Sequence, residues 1–516
     1  MRKNNIKWSM LLALCMFGCS DFLKESSQDE VRPATTNDLE QLLLGEGYLR
    51  NEYIANYLDL LTDDIENHYS DDVSQQGLLP AGAPIFSWQK DMYERMQNNT
   101  YGRDTWERLY EKIKGCNVVL DALENVSGSE GAKLNLRGQA LAMRAFYYFT
   151  LVNLYGQPYN AENVDIKKSP GVPLILESAV KDDFPPRASV VEVYERVEKD
   201  LLEALPLIEQ YGQGNYKMRV TDLFIHTLLS RMYLYMENWE KTVTHADYVI
   251  ERKPTLINLK DYYYSEYVID EENGCVYNIG SMELIWGYSD SKEYSVYFVP
   301  TTGKMGIYPA YAVSAALKNL YVSGDLRSSK LYYSPYLIRY DIVIDEDTGE
   351  PEMVVIGGLH YGTKTSSSST TNPGKGMRVA ELYLNRAEAK IRLAQKNNDA
   401  QLEQEALDDL NYLRAHRFSA PYTEVKAENV ASWVIEKEEG ISDLLQFCRE
   451  ERRRELSFED HRWFDLRRYG MPEIVHTLYL TEGQATEYRL PAKSDRYVLP
   501  IAQVVLERNP ALVQNP

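Results

Sequence analysis

The stretch that most constrains the fold lies near the C-terminus, at residues 448–472, and reads CREERRRELSFEDHRWFDLRRYGMP. Glu450 lies four residues before Arg454, and Glu451 lies three before it, so opposite charges share one helical face. An apolar face to bury is supplied by Leu444, Leu445, Cys448 and Leu456. So many arginines could form a nucleic-acid or phosphate patch. The alternating signs favour a charge-laced packing helix, because each arginine has a carboxylate within about one turn.

The first residues have the pattern of an export signal. Three basic residues precede an apolar run at positions 8–17, which is too short to span a bilayer. The run ends at Gly18-Cys19, and a small residue before cysteine is what a lipoprotein signal peptidase needs. We therefore predict a signal at 1–18, a tether at 19–36 that carries lipid on Cys19, and a single domain at 37–516. The alternative is an ordinary signal peptide with a bystander cysteine.

Charge and cysteine content exclude several classes of protein. The net charge is −21, and removal of residues 1–18 with their three basic side chains would leave −24, which argues against nucleic-acid binding. Cys116, Cys275 and Cys448 lie far apart, so buried thiols are more consistent with the sequence than a disulfide framework. No CxxC or HExxH spacing occurs, so neither a zinc site nor any cofactor is predicted.

Acidic residues are dense at 62–72, where the sequence is TDDIENHYSDD. The carboxylates in question are Asp63, Asp64, Glu66, Asp71 and Asp72. They leave a structural calcium ion or a glycosidase pair open. Acidic loops of an acidic protein are usually solvated, and this is the expectation for the segment.

Helical periodicity recurs along the chain in pairs. We predict helix pairs at about 104–155, 189–252 and 378–470, the second beginning with a capping box of Ser189 and Glu192. Small residues at 138, 142 and 145 would let two helix backbones approach closely, which is the logic of tetratricopeptide repeats. The expected fold is mainly α, with repeat-like pairs forming one body.

Residues 255–377 interrupt this helical pattern and are expected to pack over the pairs as a region rich in loops and hairpins. The stretch 339–361 alternates around the turn DEDTGE and predicts a hairpin, whose acidic residues fit a polar turn better than a calcium site. Of the 40 tyrosines, 16 lie at 262–361. Tyrosines in irregular structure are more often exposed than those in helices, so this clustering indicates a binding surface.

The run ERRRELSFEDHRWFDLRR resembles the C-terminal signature of the SusD/RagB family, with Asp460 in place of the usual glycine. The stretch 138–156, GQALAMRAFYYFTLVNLYG, resembles that family's other strong block. The resemblance implies a surface lipoprotein of the outer membrane that is not an enzyme. It would bind oligosaccharides and deliver them to a SusC-like TonB-dependent transporter, held to the membrane only by its lipid. Peptide capture, a scaffold of helical repeats and a glycan hydrolase are the alternatives.

Aromatic side chains near polar residues are the candidate ligand contacts, because a sugar ring stacks its C–H face on an aromatic ring. The candidates are Tyr69, Trp88 and Tyr93 in the early loops and Trp286, Tyr288, Tyr294 and Tyr297 in the middle region. We expect the segments 62–103 and 262–311 to meet and form one shallow aromatic surface. Alanine at Trp88 or Trp286 is then expected to weaken binding without unfolding the protein.

Overall fold

The fold is described by a computed structural model of the chain. It covers residues 33–49, 54–55, 57–69, 73–96, 105–179, 184–214, 216–261, 276–277, 279–288, 310–330, 336–344, 350–360 and 373–516. The predictions for Cys19, for the signal and most of the tether, and for Tyr294 and Tyr297 lie outside these residues.

Helices dominate the described chain, which confirms the mainly α prediction. They are α1 (Thr36–Leu42), α2 (Val73–Phe86), α3 (Met92–Met96), α4 (Thr105–Ala122), α5 (Glu130–Tyr155), α6 (Val190–Tyr211), α7 (Asp222–Tyr235), α8 (Trp239–Arg252), α9 (Ala315–Leu320), α10 (Arg327–Lys330), α11 (Val379–Asn397), α12 (Ala400–Ala415), α13 (Asp443–Leu456), α14 (Arg462–Arg468) and α15 (Gln503–Arg508). The predicted capping box of Ser189 and Glu192 begins α6.

The long helices pack as successive neighbours. Helix α5 lies between α4 and α6, α7 pairs with α8, and α11 contacts α8, α12 and α13. Gly138 of α5 allows the closest approach to α6, since a Cβ there would lie 2.9 Å from the Ile208 side chain. Gly115 of α4 lies against the backbone of Glu46, whose carbonyl oxygen would be 2.4 Å from an added Cβ. Small residues therefore set helix spacing, as the sequence pattern predicts.

Strands form short antiparallel pairs over this helical frame. Strands β1 (Ile65–Asn67) and β3 (Tyr311–Val313) pair, as do β2 (Leu284–Tyr288) and β6 (Lys375–Arg378). Strands β4 (Tyr336–Ile344) and β5 (Pro351–His360) form the predicted hairpin. A further hairpin, β7 (Ile474–Thr481) and β8 (Gln484–Leu490), follows the signature stretch.

The stretch at 80–84 is a helix and not the loop that its prolines and glycine suggest. Pro80 and Pro84 lie inside α2. Burial of Leu79, Ile85 and Phe86 in the main core compensates for the poor helix propensity of this segment. Tertiary packing therefore overrides the local signal.

The charge-laced helix is α13, and it is buried. Arg454 pairs with Glu451 at 3.0 Å and with Glu450 at 3.5 Å, as the sequence spacing predicts. Its remaining arginines and glutamates reach partners on other elements instead of solvent, and every residue from Leu445 to Leu456 is buried. Cys116 and Cys448 are buried free thiols, as predicted.

Candidate ligand-binding site

The early segment and the end of the middle region meet, as the sequence analysis expects. Strand β1 pairs with β3, and the His68 N–H donates to the Ala310 carbonyl at 2.9 Å. The Tyr311 hydroxyl donates to the Leu79 carbonyl at 2.9 Å. Contacts across about 240 residues therefore place α2 beside the middle region.

Two of the predicted aromatic platforms are core residues. Trp88 is 3% exposed, its indole N–H donates to the Leu61 carbonyl, and its ring stacks on His476 at 4.2 Å. Tyr93 is buried, with its hydroxyl 2.7 Å from that of Tyr57. Trp88, in the turn after α2, and Tyr93, in α3, both point into the core, so neither presents a face to solvent. This corrects the expectation that these rings are accessible to a ligand.

Tyr69 lies half-buried against the core. Two other predicted residues, Trp286 and Tyr288, lie together on β2. Trp286 and Tyr288 are nearly fully buried, and their ring centroids are 5.1 Å apart. Trp286 also meets Phe146 and Phe224 edge-on, at 5.3 Å and 4.9 Å. Alanine at Trp286 would leave a core cavity and lower the free energy of unfolding by about 3–5 kcal/mol, so this variant is expected to lose stability as well as any binding.

Trp286 and Tyr288 line a cleft, which we call the signature cleft. Its cavity has a volume of about 50 Å³ and lies where β2, α5 and the 459–464 segment converge. The apolar lining includes Ile54, Leu58, Phe146, Phe149, Met377 and Phe464. The polar lining includes Asn153, Arg231, Glu459, Asp460 and His461.

Asp460 gives the cleft a carboxylate where the family signature usually has glycine. Its φ of +62° is left-handed, a conformation that suits glycine and that aspartate tolerates better than most residues. The side chain accepts from the Lys375 ammonium at 2.6 Å and from the Tyr288 hydroxyl at 3.4 Å. These contacts join both strands of the β2–β6 pair to the signature turn.

Arg231 lies in the cleft but is committed to a partner. Its guanidinium donates two bonds of 2.6 Å to Glu381. Burial opposes the charged form, yet the Glu381 carboxylate raises the pKa of Arg231 above its ordinary value. His461 lies 4.0 Å from the same carboxylate. Arg231 therefore lines the cleft in a fixed position, with its charge neutralised by Glu381.

Trp286 contributes a group that no neighbour satisfies. Its indole N–H is buried and has no hydrogen-bond acceptor among the residues that the structure describes. An unmade buried hydrogen bond costs about 1–3 kcal/mol. The cleft thus combines an apolar lining, a carboxylate acceptor and a donor without a partner.

A buried ionic cluster fixes the strand pair that carries this cleft. Arg378, the last residue of β6, donates to Glu283, Glu455 and Glu459 over 2.6–2.9 Å. Glu283 directly precedes β2 and also accepts from Arg417 at 2.6 Å. Glutamates of the signature region, bound to Arg378 and Arg417, therefore position the aromatic strand. The arginines of that region from Arg449 to Arg454 are buried and do not form a phosphate patch.

The acidic loop at 62–72 also belongs partly to this buried system. Asp63 accepts two bonds from Arg462, and Asp64 accepts from Arg453 at 2.7 Å. Burial would raise the pKa of Asp63, but Arg453 and Arg462 hold it well below its ordinary value. These two carboxylates are structural and not solvated, contrary to expectation, whereas Asp71 and Asp72 lie outside the described residues. Within the described ranges, no cluster of three or more metal-ligating side chains occurs.

A larger groove of about 610 Å³ lies between α4, residues 173–179 and α15, and none of the predicted site residues lines it. Trp106 and Tyr110 form part of its wall, with their rings 5.3 Å apart, and Phe184 is 53% exposed at its edge. In the sequence, Trp106 and Tyr110 are four residues apart, a helical spacing that by itself indicates a packed apolar face and not a binding surface. Phe184 follows two aspartates in the sequence, and an aromatic residue in such a polar stretch is the signal that could have indicated a surface site here.

The helices of the described chain include none with the length and hydrophobicity to cross a bilayer.

Comparison with known proteins identifies similar sequences and folds. Residues 351–516 match a family described as the SusD family, and residues 21–234 match one described as starch-binding associating with outer membrane. Two SusD-like proteins of Formosa agariphila are 24% and 22% identical, and the alignments cover 100% of this chain and 98% and 99% of theirs.

Solved structures show the same fold. A SusD superfamily protein from Bacteroides thetaiotaomicron superposes with a TM-score of 0.67 at 21% identity, covering 94% of this chain and 100% of that one. A SusD-like carbohydrate binding protein from Bacteroides vulgatus gives a TM-score of 0.62 at 21% identity, covering 93% and 97%.

Proposed function

Because the chain belongs to the SusD/RagB family, we propose that it is a lipid-anchored outer-membrane protein that binds oligosaccharides and delivers them to a SusC-like TonB-dependent transporter. The observation that carries this proposal is the match of residues 21–234 to a family described as starch-binding and associated with the outer membrane. The carbohydrate binding protein of the same fold supports it.

The signature cleft is the part of the ligand site that this proposal assigns to described residues. Aromatic rings and a few polar groups in a concave site are the usual composition of a sugar-binding surface. A cavity of about 50 Å³ is too small for a whole sugar ring, so it would take a substituent of a ring lying above it. Several sugar units would then contribute, since one stacked ring adds only about 0.5–1.5 kcal/mol.

Delivery and anchoring form the second part of the proposal. Cys19 would carry the lipid, and the transporter would receive the bound oligosaccharide. The net charge of −21 disfavours attraction to anionic lipid headgroups, so the lipid chain on Cys19 would be what attaches the protein to the membrane. The protein itself would have no catalytic step, and no cofactor is assigned to it.

Calorimetric titration of the purified protein tests glycan binding, in a detergent without a sugar headgroup. Titration with oligosaccharides of different composition should give saturable binding, and chromatography should recover the ligands uncleaved. Binding of peptides but no glycan would favour peptide capture, whereas no binding of either would favour a scaffold. Shortened products would reveal a hydrolase.

Two variants locate the site. Tyr288→Phe removes the hydroxyl that contacts Asp460 and should weaken binding severalfold if the signature cleft is used. Phe184→Ala alters the larger groove at an exposed position, so it leaves the core intact. Loss of affinity in Phe184→Ala with unchanged affinity in Tyr288→Phe would move the site to that groove.

A further inference from the structure

We propose that the signature cleft recognises the acetamido group of an N-acetylated sugar, an inference that rests on the proposed glycan-binding function. An acetamido group has three chemical requirements: an apolar space for its methyl, a donor for its carbonyl and an acceptor for its N–H. A hydroxyl at the same ring position needs no apolar space. The cleft supplies all three requirements from separate residues.

The apolar space has a suitable size. The cavity of about 50 Å³ is lined by Leu58, Phe146 and Met377 among others. A single water needs about 10–15 Å³ of such volume, so the cavity has room for about three to five water-sized groups. That is the scale of a sugar substituent, and burial of a methyl there is favourable whereas burial of an unpaired hydroxyl is costly.

The donor is the Trp286 indole N–H. It is buried, and among the described residues it has no acceptor. Trp88 differs, because its indole N–H donates to the Leu61 carbonyl, so a satisfied indole is available for comparison in the same protein. The folded protein already carries the cost of burying this N–H away from water. A ligand carbonyl that accepted from Trp286 would therefore make a more favourable hydrogen bond than one that accepted from an exposed donor.

The acceptor is Asp460. Its carboxylate lies 3.4 Å from the Tyr288 hydroxyl, and the Tyr288 ring is 5.1 Å from that of Trp286, so the residues that supply donor and acceptor both contact one tyrosine. A carboxylate has about four lone-pair sites, and Lys375 and Tyr288 use two of them. A ligand N–H can therefore be accepted without breaking the Lys375 contact.

The charges of the cleft favour a neutral ligand. Lys375 neutralises Asp460, Glu381 neutralises Arg231, and Arg378 binds Glu459. No cation among these is left to pair with a sulfate or uronate. An uncharged acetamido group therefore matches the remaining hydrogen-bond donor and acceptor of the cleft better than an acidic substituent does.

The test compares matched ligands that differ only in the acetamido group. Chitotriose, the N-acetylglucosamine trimer, is compared with cellotriose, the glucose trimer, and N-acetylgalactosamine oligomers with galactose oligomers. We expect the wild type to prefer at least one acetylated member by about tenfold or more, from two hydrogen bonds and a buried methyl. Equal affinity within every pair, or preference for the unacetylated members, overturns the inference and leaves glycan binding standing.

Variants assign the preference to this cleft. Trp286→Phe keeps an aromatic ring but removes the N–H, and it should reduce the acetylated-ligand preference about five- to tenfold. Trp88→Phe, which removes the indole N–H of a residue that does not line the cleft, is the matched control and should leave the preference unchanged. Asparagine also tolerates the left-handed backbone conformation at position 460, but it is a weaker hydrogen-bond acceptor than aspartate. Asp460→Asn should therefore also reduce the preference for acetylated ligands.

Each outcome discriminates. Folded Trp286→Phe and Asp460→Asn variants that retain the full preference would place the acetamido contact elsewhere and overturn the inference. If Trp286→Phe does not fold, Asp460→Asn decides the question alone, with circular dichroism as the check on folding. Absence of binding to any glycan would instead contradict the proposed function itself, and the inference with it.

Discussion

Glu455 is the most connected carboxylate of the buried ionic cluster, and its replacement by glutamine gives a sharp test of what that cluster does. One carboxylate oxygen accepts from Arg378 at 2.6 Å and from Arg417 at 3.0 Å. The other accepts from Arg327 and Arg417, both at 3.1 Å. Both oxygens therefore face guanidinium donors, and an amide must direct its NH₂ group at one of them.

The magnitude follows from what remains after the change. Arg327 keeps Asp325, and Arg378 and Arg417 keep Glu283, so none of the three loses all its partners. At least two charge-assisted bonds are lost, and a donor faces a donor in the interior. Removing one member of a buried ion pair costs about 3–5 kcal/mol, and this is the expected loss in the free energy of unfolding for Glu455→Gln.

Urea unfolding at pH 7, followed by far-ultraviolet circular dichroism, measures this loss. Glu405→Gln is the matched control, because Glu405 pairs with Lys390 at 3.1 Å but its side chain is 39% exposed. An exposed pair contributes about 0–1 kcal/mol, so the control should unfold close to the wild type. A Glu455→Gln variant as stable as the control would refute the view that the cluster constrains the fold.

The pH dependence provides a second check on the same residue. Burial alone would raise the pKa of Glu455, but Arg417, Arg378 and Arg327 hold it well below its ordinary value. A carboxylate with a depressed folded pKa stabilises the protein fully above its unfolded pKa, about 4.3, and loses that contribution as pH falls. The stability difference between wild type and Glu455→Gln should therefore narrow only below about pH 4.3.

Other predictions test the remaining parts of the structure. Gly115→Ala should lower the free energy of unfolding by about 1–3 kcal/mol in urea, because its Cβ meets the Glu46 backbone. Gly45→Ala should not, since no atom of the described residues lies within 4 Å of an added Cβ there. His226 and His245 are held neutral, with burial lowering their pKa values to about 3 and about 4, so the melting temperature should fall as pH drops below about 6.5. Replacing both by glutamine should flatten that profile, and an unchanged profile would contradict the assignment. Cys19→Ala should abolish lipid labelling and release the protein from outer membranes; undiminished labelling would exclude this cysteine as the anchor.

Local sequence determined the helical frame of this protein. The Ser189–Glu192 capping box places the beginning of α6, and apolar residues at helical spacing predict the helix that follows, because these interactions join groups within about one turn. The small residue at position 138 likewise predicted a close helix contact, because a residue without a side chain permits close approach whichever helix packs against it. The pairing of Arg454 with Glu450 and Glu451 is local for the same reason.

The tertiary structure alone decided which side chains face a ligand. Trp88 and Trp286 look alike in sequence, each within a few residues of an aspartate, yet Trp88 donates to the Leu61 carbonyl whereas the Trp286 N–H has no acceptor among the described residues. That difference depends on contacts with residues far away in the chain, such as His476 with Trp88 and Phe146 with Trp286. Hydrophobic burial is not directional. The residues next to an aromatic side chain in the sequence therefore do not indicate whether its ring will pack in the core or contact a ligand.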